Sequence, residues 1–156
     1  MSRFEHTVTV DVPVREVYDQ WTQFEEFPRF MEGVQNVVQQ DDRTLQWTAE
    51  IGGRQRTWTA EITDQTPETR IAWKSVSGAE NGGAVLFEPD GPDRTKVTLR
   101  MDVDPDGFVE SVGDALGFVD RQTKADLEHF KSFIEERRQA TGAWRGEIHG
   151  EEVVRR

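Results

Sequence analysis

The chain of 156 residues carries 30 acidic against 19 basic side chains, a formal charge of −11, and contains no cysteine. That balance repels phosphate backbones and anionic membrane surfaces, which argues against nucleic acid as a partner, and the missing thiols exclude disulfides and thiolate metal ligation. The length suits one folded domain, expected over residues 1–142.

Met1-Ser2-Arg3-Phe4 runs straight into an alternating pattern, with no apolar leader core and no stretch long enough to span a membrane. A cytoplasmic location without integral membrane association is therefore expected. Phe4, His6, Val8 and Val10 alternate with polar residues and predict a strand whose inner face includes one histidine. Asp11-Val12-Pro13 breaks it. Val14, Val17, Tyr18 and Trp21 then follow helical spacing, and Phe24, Phe27, Phe30 and Met31 mark a second short helix with Pro28 near its start. A strand is expected over residues 34–40, followed by a turn at Asp41-Asp42-Arg43.

The pentapeptide WTAEI occurs twice, at residues 47–51 and 58–62, around Gly52-Gly53. A two-residue turn at the glycines, which adopt positive φ without steric cost, makes this a hairpin. Its register sets Trp47 opposite Trp58, Ala49 opposite Arg56 and Ile51 opposite Arg54. Because side chains alternate, Leu45, Trp47, Ala49, Ile51, Trp58, Ala60 and Ile62 share a dry face, and Gln46, Thr48, Glu50, Thr57, Thr59 and Glu61 the wet one.

Past Thr66-Pro67-Glu68-Thr69, Ile71, Trp73 and Ser75 define another inward face, and residues 77–83 read as a glycine-bearing loop. Two more strands, 84–88 and 95–103, are separated by Pro89-Asp90-Gly91-Pro92-Asp93, a dense turn signal. Val109, Val112, Leu116, Val119, Thr123, Leu127, Phe130 and Ile134 then recur at threes and fours, predicting a helix over 106–138 that spans about 50 Å and stops by Gly142. Gly113 and Gly117 within it suit close packing on a sheet, or a softened helix start that opens a portal. Residues 143–156 lack apolar periodicity and are expected to form a mobile tail, with Trp144 and Ile148 as its anchors. The expected fold class is α+β: a seven-stranded curved antiparallel sheet, two short helices after the first strand, and a long C-terminal helix on the concave dry face.

Several stretches resemble the polyketide cyclase/dehydrase and lipid-transport superfamily, also called START-like or SRPBCC, whose fold is the helix-grip. DVPVREVYDQWTQFEEFPRFM at 11–31 is similar to its segment joining the first strand to the paired short helices. RIAWKSVSG at 70–78, GGAVLFEP at 82–89 and TKVTLRMDVDPDG at 95–107 resemble its later strands, and DLEHFKSFIEERRQATGAWRGEI at 126–148 its last helix and tail. The resemblance implies a cavity between sheet and helix that takes a hydrophobic small molecule: a lipid, isoprenoid, quinone or polyketide-like compound. Candidate ligand contacts are Phe30, Met31, Trp47, Trp58, Trp73, Phe87, Leu99, Met101, Val112, Leu116 and Val119; each also has an ordinary place in a packed core.

No HExxH, phosphate-cradling glycine loop or GxSxG is present, and His6, His129 and His149 are scattered, so neither a metal nor a cofactor is expected. Arg56 falls on the dry face, where a lone buried guanidinium is costly, so it is expected either at the rim, with its stem packed and its head in water, or orienting a polar group of the ligand. With His6 and Ser75 it completes the polar groups aimed inward, and these three are the nominees for catalysis. Three functions follow: a non-catalytic binder or carrier, an aromatase/cyclase or dehydratase using those nominees, and a protein-interaction module using the Trp144 tail.

Overall fold

A computed structural model describes residues 2–51, 54–78, 81–103 and 115–155, apart from the side chains of Ser2, Ile51, Arg54, Ala115, Leu116 and Phe118. Strand β1 (Ser2–Val10) is followed by helix α1 (Val14–Trp21) and a 3-10 helix (Phe24–Arg29). Strands β2 (Val34–Gln39), β3 (Thr44–Ile51), β4 (Arg54–Thr66), β5 (Arg70–Gly78), β6 (Asn81–Pro89) and β7 (Thr95–Val103) come next. Helix α2 (Ala115–Arg137) and two short strands, β8 (Glu147–His149) and β9 (Glu152–Val154), complete the order. The sheet runs β1-β7-β6-β5-β4-β3-β2, with every pair antiparallel.

The hairpin has the register expected from its repeat: Trp47 faces Trp58, Ala49 faces Arg56 and Ile51 faces Arg54. The expected turn at Gly52-Gly53 lies outside the described residues. Ala49, Ala60 and Ile62 are buried with both indoles, and the Trp47 and Trp58 rings stack at 5.7 Å with an 8° interplanar angle.

Among the described residues the sheet has nine strands rather than seven. β4 is 13 residues long and β3 only 8, so β3 pairs with β4 no further than Glu61. The overhang would leave backbone groups unmet, and β8 takes it, pairing Gln65 with Ile148 and Asp64 with His149. Residues 147–149, within the segment expected to form a mobile tail anchored by Trp144 and Ile148, thus pair with the sheet. Ile148 is fully buried.

Helix α1 supplies the ties. The Gln20 amide donates to Thr141 Oγ1 at 3.1 Å and its carbonyl accepts from Thr141 N at 2.9 Å, while Ala140 N donates to Glu16 and Trp144 N to Thr22 Oγ1. Arg145 pairs with both Asp19 and Glu68. Burial pushes the Asp19 carboxyl above its ordinary range, and the adjacent Arg145 guanidinium offsets part of that rise.

Both remaining helical elements take shape near their expected positions, and the part of the long helix expected before Ala115 lies outside the described residues. Pro28 has no N–H to give, and the second short element closes through i→i−3 bonds such as Phe30 N to Phe27 O, forming a 3-10 turn. The described part of the long helix covers 23 residues, about 35 Å. It ends at Arg137, within one residue of the expected 138, where Arg138 takes the left-handed conformation (φ 68°), donates its N–H to Ile134 O and sends its guanidinium to Asp11 O. Gly142 has another role, since a Cβ there would lie 2.6 Å from Gln23 Oε1.

The glycines expected in a loop at 77–83 also belong largely to strands. Gly83 sits between Trp73 and Met101 in the ladder, and a Cβ on it would come within 2.8 Å of the Trp73 ring and 2.4 Å of Arg100 O. Glycine here makes room for an indole.

α2 lies against the edge strand β1. Lys131 Nζ donates to Thr9 O at 2.7 Å and Asp11 N donates to Glu135, so helix side chains satisfy backbone groups that an edge would leave open. Val119, Leu127, Phe130 and Ile134 turn toward the sheet.

Because Ile148 closes the β4 overhang, Ile148→Ala is expected to cost about 2–5 kcal/mol in urea unfolding. A change below about 0.5 kcal/mol would show that the segment contributes nothing to the fold.

Candidate functional site

Between the inner face of the sheet and α2 lies a cavity of about 130 Å³. Its floor is made by Trp47, Trp58, Trp73, Leu99 and Met101, its side by Trp21, Phe24, Phe27 and Met31, and its roof by Val119, Gln122, Thr123 and Asp126. The floor follows from period two in the strands, which sends alternate residues to one face. The side arises where α1 and the 3-10 helix turn aromatic rings inward: Phe27 stands 5.5 Å from Trp47 and 5.4 Å from Trp21. Trp73 and Met101 are half-buried, whereas Trp21 and Trp47 are 2% and 8% exposed. Val34, Gln122 and Asp126 in the lining are half-buried as well.

Of the expected ligand contacts, Met31, Trp47, Trp58, Trp73, Leu99, Met101 and Val119 line the cavity. Phe30 does not; it packs 5.8 Å from Trp21 and 5.1 Å from Phe130 in the neighbouring core. Phe87 meets Tyr18 edge-on at 5.3 Å, also away from the lining. Val112 and the Leu116 side chain lie outside the described residues.

The three polar nominees are placed elsewhere. His6 Nε2 meets Asp120 Oδ1 at 2.7 Å, between β1 and α2. Ser75 Oγ accepts from Asn81 N at 3.1 Å; Asn81 reaches the lining and Ser75 does not. Arg56 is half-buried beside Ala49 and is not among the lining residues either.

The polar groups at the cavity are instead Asn81, Gln122, Thr123 and Asp126. Val119, Gln122, Thr123 and Asp126 stand at i, i+3, i+4 and i+7, one face of α2. That spacing was legible in the sequence, but it lies beside the apolar stripe that draws the eye. Gln122 Nε2 donates to Asp126 Oδ1 at 2.7 Å, and the Glu32 backbone N–H also favours the charged carboxylate. Burial outweighs both and pushes the Asp126 carboxyl up to about 6. It can hold or release a proton near neutrality inside a largely apolar chamber. Among the described residues, no group of His, Cys, Asp or Glu is arranged to hold a metal.

With its pKa raised on folding, Asp126 adds stability that is complete below the unfolded carboxylate value and lost as pH climbs through about 6. The difference from the ordinary 3.8 corresponds to at most about 3 kcal/mol. In urea unfolding across pH 4–8, Asp126→Asn is expected to remove this part of the pH dependence and to gain on the parent above pH 6. Parallel curves would contradict the assignment.

Comparison with known proteins agrees with this architecture. Residues 10–132 match the family described as polyketide cyclase / dehydrase and lipid transport. The chain is 52% identical over 149 residues to an uncharacterised 17.2 kDa protein of the melC2-rnhH intergenic region of Streptomyces lincolnensis, covering 95% of this chain and 99% of that one. Among solved structures, the Zhui aromatase/cyclase of Streptomyces sp. R1128 superposes with a TM-score of 0.73 at 20% identity, over 91% of this chain and 98% of that one. DR_A0006 of Deinococcus radiodurans gives 0.68 at 29%, over 86% and 98%. A START superfamily protein of Mycobacterium smegmatis gives 0.67 at 18%, over 86% and 95%. An antiparallel sheet closed by a C-terminal helix, a cavity between them and a match over most of its length establish that this chain belongs to the polyketide cyclase/dehydrase and lipid-transport family.

Proposed function

We propose that this protein binds or carries a hydrophobic small molecule in the cavity beneath α2. The observation that carries the reading is the lining itself: four tryptophans, two phenylalanines and aliphatic side chains surround the space, and polar groups enter from few positions. A packed core closes such space, because each unfilled volume forfeits dispersion contacts and destabilises the fold. A hollow retained among large rings is suited to a guest. At about 130 Å³ it admits roughly one ring, since an apolar cavity of about 150 Å³ takes benzene. A longer ligand would continue past the half-buried part of the lining, which comprises Val34, Trp73, Met101, Gln122 and Asp126.

Asp126 favours a second reading, an aromatase/cyclase or dehydratase. A carboxyl poised near pH 6 suits proton transfer to or from a bound carbonyl compound. His6, Arg56 and Ser75 do not support that chemistry from positions away from the lining. If a linear poly-ketone thioester is converted by the wild type and Asp126→Asn abolishes conversion while still binding the substrate, catalysis is the better description. If the two proteins behave alike, binding alone stands.

The interaction-module reading is not supported. Trp144 packs against the protein's own core, and the exposed large apolar residues among those described, Val38, Val76 and Val154, lie on three different strands.

The test of the binding reading is to fill the space. Ala49 lines the cavity at 2% exposure, and Ala49→Phe places a ring where the guest would sit. Wild-type protein is expected to enhance the fluorescence of an apolar dye, and the variant to bind it at least tenfold more weakly with an unchanged far-UV circular dichroism spectrum. No dye binding by the wild type, and no small molecule retained in its native mass spectrum, would refute the proposal.

A further inference from the structure

Among the described residues two that are not glycine take a left-handed backbone, Glu68 at φ 62° and Arg138 at φ 68°. Such a conformation crowds Cβ against the following carbonyl, and it persists only where surrounding contacts impose it. Arg138 is where the chain leaves α2 and turns back along α1, and Glu68 accepts from the Arg145 guanidinium that follows. Both strained residues thus belong to one joint, the seating of the C-terminal segment.

The contacts that seat residues 139–155 are made with elements far away in sequence. Ala140 N and Thr141 N donate to Glu16 and Gln20, Trp144 N donates to Thr22 Oγ1, and Arg145 pairs with Asp19 and Glu68. Ile148 and His149 pair with Gln65 and Asp64 of β4, Gly150 N donates to Thr63 O at 2.9 Å, and Arg155 reaches Asp42. None of these partners lies on α2, the helix that delivers the segment. A second copy of the chain offers the same seat, and a change of φ at Arg138 sends the segment there instead. The described lining of the cavity contains no residue of the segment, so its exchange leaves the chamber as it is.

We propose that residues 139–155 form an exchangeable arm, and that two copies of the chain pair by swapping arms, each β8 adding to the other's β4. The partner is a second copy of this chain, bound through contacts that the monomer already makes. Swapping frees Arg138 from its left-handed backbone, whereas the closed monomer avoids bringing together two chains of charge −11. The exchanged dimer therefore belongs to high protein concentration and to raised salt, which screens that repulsion.

The test is refolding of the full chain from urea at millimolar concentration in high salt, followed by sedimentation velocity. The wild type should give a dimer that persists on dilution, because return to monomer requires both arms to leave their seats. Arg138→Ala and Arg138→Gly both lose the guanidinium tie to Asp11 O but differ in their tolerance of a left-handed backbone. Arg138→Gly is expected to lower the dimer-to-monomer ratio about tenfold or more relative to Arg138→Ala, the size of one left-handed residue's cost. A second pair of variants identifies the arm, and it reports even where one of them folds poorly alone. In Arg145→Glu the arm meets Asp19 and Glu68 with like charge, and in Glu68→Arg the seat meets Arg145 with like charge. Refolded together, they should form a one-to-one heterodimer in excess of either homodimer in native mass spectrometry, since each arm then finds opposite charge in the other copy. Monomer alone under all these conditions overturns the proposal. So does a dimer that is indifferent to the choice of residue at 138 and shows no preference for the mixed pair, which is ordinary surface association.

Discussion

Trp47 and Trp58, stacked across the β3–β4 hairpin, set the conditions for everything packed around them. Two flat rings side by side on a pleated surface form a rigid plateau rather than a set of knobs, and aromatic residues bury more area than any other kind. Such a face cannot stay in water and cannot easily interdigitate. The chain covers it with two different lids. On one side α1 and the 3-10 helix bring Trp21, Phe24 and Phe27; on the other α2 brings Val119, Gln122 and Thr123. The lids meet the plateau at its margins, and the centre stays hollow.

The same constraint explains how the termini are used. α2 has to lie across the sheet, and its far end is secured where Phe130 and Ile134 enter the aromatic core and Lys131, Glu135 and Arg138 seize the backbone near the end of β1. Beyond it the chain doubles back along α1, held by Glu16, Gln20 and Thr22, and adds β8 to the open part of β4. A hollow protein lacks the stabilisation that a filled centre would supply. These peripheral ties supply part of it from polar contacts and one buried isoleucine, leaving the chamber open.

What could be read from the sequence, and what could not, follows the range of the forces involved. The hairpin was legible to the residue because its repeat, its glycines and period two all specify one register. The apolar stripe of α2 was equally plain, and so was the dry face of β7. The strands β8 and β9 were not legible, because three residues are too few to show a period and the reason for them lies elsewhere, in the unequal lengths of β3 and β4. Gly83 looked like a loop residue because the indole that requires it belongs to another strand. The helix end expected at 138 is met within one residue, although the left-handed backbone of Arg138 and its tertiary bond to Asp11 left no local mark in the sequence. At the site, the floor of tryptophans was visible in the alternation. Asp126 was overlooked because a charged residue beside an apolar stripe ordinarily faces solvent, and the packing of α2 against the turn at Glu32 leaves it half-buried.

The central claim is that the space between plateau and helix is dry, accessible and large enough for a guest. Xenon reports on that without assuming any ligand chemistry, because it enters apolar cavities and displaces no bound water. Crystals pressurised with xenon should show an anomalous scatterer between Trp47, Leu99 and Val119 with the surrounding side chains in place. A filled core at that position, with Trp73 or Phe27 turned into the space and no xenon present, would contradict the account.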